Sequence, residues 1–205
     1  MQLHPWNHAP RELALCAFET LRTWWADSLR SQHASIADAL TGKPLDALEQ
    51  CVAIEVTGDA QLTGINDVRG LVKWLNSLYS ARLDGRDIRE VAAALLTAPP
   101  AAGKTTLISQ VVVLALAQAK LVPIVIKVQL LQARLREASG AFASSWNWVD
   151  AYLQLVHAEQ PALHRTLRQA LMARRALLLI DGLDEGGTNR AEIERHVVEV
   201  LAPQG

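Results

Sequence analysis

Two short segments, about eighty residues apart, carry the residue types that phosphate and magnesium chemistry requires. The first, TAPPAAGKTT, runs from Thr97 to Thr106, and the second, ALLLIDGLDEGG, runs from Ala176 to Gly187. In a phosphate-binding loop, backbone N–H groups at the start of a helix face the phosphates, a lysine adds charge and a hydroxyl joins the magnesium shell. An acid at the end of a buried strand can hold the same ion. The two segments together predict a nucleotide site.

The first segment matches the end of the loop pattern closely. Gly103, Lys104 and Thr105 fill its last three positions, and Ala98 fills its first. Ala98 and Ala101 each carry a Cβ that limits the close approach of phosphate oxygens, so we predict a loop that binds with reduced affinity. The predicted nucleotide-binding residues are Ala98, Pro99, Pro100, Ala101, Ala102, Gly103, Lys104, Thr105 and Thr106.

The second segment places three carboxylates at and after the end of an apolar run. Asp181 ends the run, and Asp184 and Glu185 follow it. One interpretation is a magnesium-holding acid with a neighbouring carboxylate that orients or deprotonates water. The alternative is a turn whose acids are simply solvated. The lysine loop upstream favours the first interpretation.

The apolar pattern around both segments predicts strands that alternate with helices. VAAALL and LVPIVIKV suit strands on either side of a helix in GKTTLISQVVVLALAQAK, and ALLLI suits a strand that ends at Asp181. Such alternation implies a parallel sheet flanked by helices. Further helices are predicted at 129–138, 147–157, 161–175 and 190–201.

The N-terminal part predicts helices and a soft boundary near Gly58. Apolar spacing indicates one helix over 10–30 and another in INDVRGLVKWLNSLYSARL, whereas the structure of 31–64 stays open. Trp24 and Trp25 suit helix packing better than docking of a partner. We divide the chain into a helical N-terminal segment, 1–60, and a nucleotide domain, 61–205.

Composition limits the remaining function classes. The 205 residues carry a net charge of −1, which gives no broad basic face for nucleic acid. Cys16 and Cys51 lack metal-ligand spacing and suit reduced thiols. The N-terminus does not resemble a secretory signal. The most apolar region is divided into pieces too short to cross a bilayer by Gln118, Lys120, Pro123 and Lys127. We expect a cytoplasmic protein without nucleic-acid or membrane partners.

The histidines and aromatic residues suggest weaker alternatives. His157 and His164 lie seven residues apart, and a zinc site there is a minor hypothesis because Pro161 intervenes. Ser145 is a candidate helix cap. The nearby aromatic residues Trp146, Trp148 and Tyr152 could stack a base, but helix packing is the favoured interpretation.

The segments IDGLDE and APPAAGKTT together resemble the NACHT family of STAND-class P-loop NTPases. The second motif of that family is a hydrophobic strand followed by Asp, a small residue, a hydrophobic residue and an acidic pair, which Asp181 to Glu185 match in order. The resemblance covers about 65–205. It implies an α/β fold: a P-loop NTPase core with a parallel sheet flanked by helices, preceded by a mostly helical segment.

The resemblance also implies roles and ligands. ATP or ADP and Mg²⁺ would be the ligands. Lys104 would bind the β- and γ-phosphates, and Thr106 would reach the α-phosphate. Thr105 and Asp181 would hold Mg²⁺, and Asp184 or Glu185 would manage the attacking water. The family implies a switch that exchanges ADP for ATP and then self-associates through the nucleotide domain, with sensor and effector proteins as further partners.

The chain departs from the family pattern at two places. Glycine is usual in the family where Ala98 and Ala101 stand, and the chain stops at Gly205, before the strand that carries the family's γ-phosphate-sensing arginine. We therefore expect a fragment or a reduced protein, with slow or absent hydrolysis. The competing hypotheses are a non-catalytic scaffold with a degenerate nucleotide site and, less favoured, a small metabolic kinase.

Overall fold

The computed structural model describes residues 9–38, 40–51, 65–84, 94–97, 99, 102–185 and 187–204. They form helices and short strands, with helix predominating. The helices are α1 (Ala9–His33), α2 (Val68–Leu83), α3 (Lys104–Gln118), α4 (Val128–Glu137), α5 (Ser139–Ala143), α6 (Trp148–Val156), α7 (Pro161–Met172), α8 (Arg190–His196) and α9 (Ala202–Gln204). The strands are β1 (Ser35–Ala37), β2 (Pro44–Asp46), β3 (Val122–Lys127) and β4 (Ala176–Asp181). Short turns of 3₁₀ helix cover Leu183–Glu185 and Gly187–Asn189, and a π-helical turn covers Val197–Leu201.

A two-stranded parallel sheet lies at the centre of the fold. β3 and β4 pair in register, from Val122 opposite Ala176 to Lys127 opposite Asp181. Both strands are rich in branched or long apolar side chains, which suit strands covered on two faces. The strands predicted from LVPIVIKV and ALLLI and their parallel arrangement are confirmed.

A separate hydrophobic core packs on each face of the sheet, because successive side chains of a strand point to opposite faces. On one face, β3 contributes Val122, Ile124 and Ile126 to a core shared with α4 to α7. On the other face, Leu177 and Leu179 of β4 pack with side chains of α2 and α3. The second core fixes where α3, and therefore its first residue, lies relative to β4.

The N-terminal helix α1 packs at the outer edge of β3. The indole Nε1 of Trp25 donates a hydrogen bond to the carbonyl of Pro123 at 2.9 Å, and the Trp25 ring meets His157 edge-on. Proline has no N–H to give to a neighbouring strand, so an edge position suits it. The packing prediction is confirmed for Trp25 and is wrong for Trp24, whose side chain is exposed.

A small antiparallel hairpin of β1 and β2 follows α1 and was not predicted from the sequence. The residues on either side of this hairpin join the N-terminal part to α3 through two polar contacts. His33 Nδ1 lies 3.0 Å from Ser109 Oγ, and the amide of Gln110 donates to the carbonyl of Ala47 at 2.9 Å. Helix α3 is thus held on its buried side by residues that precede the predicted boundary. Gly58, where that boundary was placed, lies outside the described residues.

Most predicted helices are confirmed, but two helices and one strand differ from the prediction. The helix predicted over 190–201 is α-helical from Arg190 to His196 and continues as a π-helical turn over Val197–Leu201. The helix predicted over 161–175 ends at Met172, because Arg174 adopts a positive φ of 54° that a helix does not allow. The strand predicted at 91–96 is not present in its described part, since Ala94, Leu95 and Leu96 are exposed and belong to no strand. Residues 91–93 lie outside the described residues.

No helix in the described part of the chain is long and apolar enough to span a bilayer. The longest apolar helix, α3, has 15 residues, and β3 follows it after a short turn.

Candidate functional site

The two predicted motifs meet at the carboxyl end of the sheet. β4 ends at Asp181, and α3 begins at Lys104 beside it. This arrangement follows from packing: α3 buries Leu107 and Val111 in the core that Leu177 of β4 completes. Residues separated by about eighty positions in sequence therefore become neighbours at one edge.

Two side-chain contacts join the motifs directly. The hydroxyl of Thr105 donates a hydrogen bond to Oδ2 of Asp181 at 3.3 Å. The ammonium of Lys104 forms an ion pair with Oδ2 of Asp184 at 3.0 Å. We call Lys104, Thr105, Asp181 and Asp184 the carboxyl-end cluster. The side chains of Lys104 and Asp184 remain 34% and 58% exposed, so a ligand from solvent can reach both.

Gly103 sets the start of α3. Its φ of 83° and ψ of 22° lie in the left-handed region. Any residue that carries a Cβ would be strained in this conformation, whereas glycine adopts it readily. Its carbonyl accepts the N–H of Leu107 at 2.9 Å. No side chain caps the helix start and no acidic residue lies in its first turn. The first N–H groups of the helix are therefore available to an anion.

The loop before Gly103 is only partly described. The N–H of Ala102 donates to the carbonyl of Pro99 at 3.3 Å, so it is occupied within the loop instead of facing a phosphate. Ala98, Pro100 and Ala101 lie outside the described residues. Thr106 is half-buried in the first turn of α3. Of the predicted nucleotide contacts, the structure brings Lys104 and Thr105 to the carboxyl-end cluster.

A tight turn at Gly182 directs the acidic residues after β4. Gly182 has a φ of 80°, and a Cβ there would lie 2.9 Å from Oε2 of Glu185. The turn closes through a hydrogen bond from the N–H of Glu185 to the carbonyl of Gly182 at 2.9 Å. Consequently Asp184 turns toward Lys104, whereas the side chain of Glu185 folds back beside the turn.

The electrostatics of the cluster follow from its ion pair. The hydrogen bond from Lys104 is the main cause that lowers the pKa of Asp184, with its own backbone N–H and the charge of Lys104 contributing further. Arg190, at the start of α8, adds a smaller effect in the same direction on this pKa. Asp184 is therefore a carboxylate at neutral pH and holds Lys104 at the mouth of the site.

The cluster fits a magnesium ion shared with phosphate better than a metal held by protein alone. Within the described residues, no three His, Cys, Asp or Glu side chains gather into a metal site. Thr105 and Asp181 offer two adjacent oxygens. Mg²⁺ commonly binds through one or two protein oxygens and completes its shell with water and substrate phosphates. These two residues could hold it in that way.

One residue at this edge was not singled out from the sequence. Lys127 ends β3 directly opposite Asp181 and is exposed. The sequence signal was present, because the carboxyl ends of neighbouring parallel strands meet at the same edge of a sheet. The last residue of LVPIVIKV therefore belongs next to the last residue of ALLLID.

A second group of polar residues surrounds α6. Asn147 caps this helix by accepting the N–H groups of Val149 and Asp150, and Asp150 contacts His164 Nε2 at 3.0 Å. We call Asn147, Asp150 and His164 the α6 cluster. The cap is Asn147 and not the predicted Ser145. His164 is engaged by Asp150, and no metal-binding group includes His157 in the described part of the chain.

The aromatic residues near α6 serve packing. The ring of Trp148 stacks on His196 with centroids 4.4 Å apart, and its backbone N–H donates to Nε2 of His196 at 3.1 Å. Tyr152 is buried. The packing interpretation is confirmed for these two residues and is wrong for Trp146, whose side chain is exposed.

In comparison with known proteins, no family model, no curated protein and no solved structure matches this chain.

Proposed function

We propose that the protein binds ATP and ADP with Mg²⁺ at the carboxyl-end cluster and acts as a nucleotide-dependent switch of the NACHT type. One observation carries the proposal. The hydroxyl of Thr105 and the carboxylate of Asp181 are 3.3 Å apart although they are 76 residues apart in sequence. A lysine loop and a strand-end acid are the two parts that must converge on a phosphate-bound magnesium ion.

Each residue of the cluster has a distinct role in this proposal. The N–H groups at the start of α3 and the ammonium of Lys104 receive the phosphates. Thr105 and Asp181 share the magnesium ion, which neutralises charge on the terminal phosphates when bound. Asp184 keeps Lys104 at the mouth of the site until phosphate competes for it, because both groups are charged and exposed.

The two carboxylates after the turn differ in their availability for water. Asp184 is engaged by Lys104, whereas the carboxylate of Glu185 forms no hydrogen bond or ion pair with other described residues. If the site hydrolyses ATP, Glu185 is therefore the carboxylate that is free to orient the attacking water. Binding has more support than turnover, because only binding rests on contacts between the motifs.

A second candidate function is a scaffold that no longer uses nucleotide. Two observations favour it: the N–H of Ala102 is occupied by Pro99, and the apolar segment before the loop forms no strand where it is described. A loop shaped in this way gives fewer N–H donors to phosphate. The scaffold hypothesis predicts that nucleotide neither binds nor stabilises the protein.

Calorimetric titration of the full chain with ATP and Mg²⁺ separates the two functions. We expect saturable binding, and we expect Lys104→Ala to weaken it about 10- to 100-fold, the usual worth of a charge-assisted contact. Lys120→Ala is the matched control, since Lys120 is an exposed lysine beyond the other end of α3. Absence of binding by the unmodified chain would establish the scaffold instead. Binding that is equally strong in both variants would show that Lys104 does not contact the nucleotide and would contradict the proposed site.

A further inference from the structure

Lys127 and Asp181 project from the same face of the sheet. They are the last residues of β3 and β4 and lie directly opposite each other in the parallel pair. Neighbours in register project to one face, because the pleats of adjacent strands align. Asp181 faces α3, since it accepts the hydroxyl of Thr105. Lys127 therefore projects toward α3 as well, one strand farther from the loop.

A contact on α3 gives a second indication that Lys127 lies on the α3 side of the sheet. Ser109 follows Thr105 by four residues and so lies on the same side of the helix, and it contacts His33 Nδ1 at 3.0 Å. Burial lowers the pKa of His33, and the charge of Lys127 lowers it further. The charge of Lys127 thus acts on His33, and the His33 ring lies against α3 one turn after Thr105.

Lys127 differs from Lys104 because it lacks a partner among the described residues. Its side chain is exposed, and it forms no hydrogen bond or ion pair with any residue that the structure describes. Lys104, by contrast, is paired with Asp184. Helix α4 begins immediately after Lys127 and carries no acidic residue in its first turn. The positive end of that helix dipole adds to the charge of the lysine at this edge.

We propose that Lys127 is a second phosphate-binding cation, which contacts the terminal phosphate of a nucleoside triphosphate and lets the site distinguish ATP from ADP. The inference rests on the proposed nucleotide site. Thr105 and Asp181 would hold Mg²⁺, which would neutralise charge on the outer phosphates, and the N–H groups at the start of α3 would hold the inner phosphates. A cation on the far side of Asp181 therefore meets the outermost phosphate, which ADP lacks.

Titration of the full chain with ATP and with ADP, each with Mg²⁺, tests this role. We expect Lys127→Ala to weaken ATP binding about tenfold and ADP binding less than about twofold. Lys127→Arg keeps the charge and should retain most of the preference for ATP. Lys120→Ala is the matched control, because Lys120 precedes the start of the same strand. The exposed position of Lys127 means that all variants should melt at the temperature of the unmodified chain.

The outcomes separate this inference from the proposed function. If the unmodified chain binds both nucleotides and Lys127→Ala weakens both equally or neither, Lys127 does not contact the terminal phosphate although the site exists. If the unmodified chain binds neither nucleotide, the proposed function fails and Lys127 has no role in it. Selective loss of ATP binding in Lys127→Ala alone supports the inference.

Discussion

The carboxyl-end cluster and the α6 cluster contain similar polar residues in opposite environments. In the α6 cluster, Asn147 is 3% exposed and Asp150 is 5% exposed, and the carboxylate of Asp150 lies 3.0 Å from Nε2 of His164. In the carboxyl-end cluster, the side chains of Lys104 and Asp184 are 34% and 58% exposed, although their ion pair is equally short.

The difference separates polar residues that hold the fold together from those that are available for a ligand. A buried carboxylate that loses its partner retains the full cost of desolvation, so the contact contributes substantially to stability. An exposed ion pair is already solvated and contributes little. The carboxyl-end cluster is therefore not explained by a need for stability, and this contrast supports a binding role for it.

The largest expected effect on stability comes from Asp150. Asp150→Ala should lower the free energy of unfolding by about 2–4 kcal/mol, because it leaves His164 without its partner in the interior. Urea denaturation measures the change. Asp150→Asn keeps an acceptor and should cost less. Under conditions where each variant is folded, ATP binding should stay unchanged. Loss of ATP binding would contradict the proposal that the α6 cluster stabilises the fold without taking part in binding.

A smaller loss of stability is expected from Asn147, whose side chain accepts two N–H groups at the start of α6. Asn147→Ala should lower the free energy of unfolding by about 1–2 kcal/mol. Asn189 provides a matched control, because it precedes α8 without a side-chain capping bond. Asn189→Ala should therefore have little effect. Equal losses in both variants would show that Asn147 does not act as a cap.

A fall in pH tests the contribution of His196 to stability. Its ring stacks on Trp148, the first residue of α6. Burial lowers the pKa of His196, so the unfolded chain binds a proton more readily than the folded one. The contribution of neutral His196 to the free energy of unfolding is then fully present above the ordinary histidine pKa. It declines as the pH falls through the lowered value. The urea midpoint should drop between about pH 7.5 and about pH 5.5.

The matched variant for this pH effect is His196→Gln. Glutamine can still accept the N–H of Trp148 but does not titrate, so the decline with acid should become shallower. His33 and His157 also have a pKa lowered mainly by burial and should preserve part of the slope. An unchanged slope in the variant would contradict the role of His196.

The smallest expected effect on stability belongs to Asp184. Its pKa is lowered by Lys104, so any contribution is present above the ordinary aspartate pKa and lost as the pH falls through the lowered value. Because the pair is exposed, Asp184→Asn should leave the urea midpoint at neutral pH unchanged. A loss of stability as large as that of Asp150→Ala would show that both clusters stabilise the fold. It would contradict the proposed difference between them.

The sequence predicted those features that depend on local pattern. Apolar periodicity located α3, β3 and β4, and a glycine before Lys104 indicated the turn that begins α3. The strand-end position of Asp181 followed from the apolar run before it. These features require only neighbours along the chain, which explains why they could be found without coordinates.

Features that depend on docking could not be found in this way. Trp24 and Trp25 are adjacent on one helix, and only the position of α1 against Pro123 decides which indole packs against the rest of the fold. Ser145 and Asn147 are both good capping residues, and the choice depends on where α6 packs. The pairing of Lys104 with Asp184 rather than Asp181 depends on the turn at Gly182, whose left-handed geometry the sequence permits but does not require.

The most direct test of the central claim is an NMR spectrum of the full chain with ATP and Mn²⁺ in place of Mg²⁺. A paramagnetic ion held by Thr105 and Asp181 should broaden the amide signals of those residues first, and more strongly than the signals of Asn147 and Asp150. The broadening should disappear when excess Mg²⁺ displaces Mn²⁺. Equal broadening at both clusters, or none at Thr105 and Asp181, would contradict the proposal that these residues meet on a shared phosphate-bound metal ion.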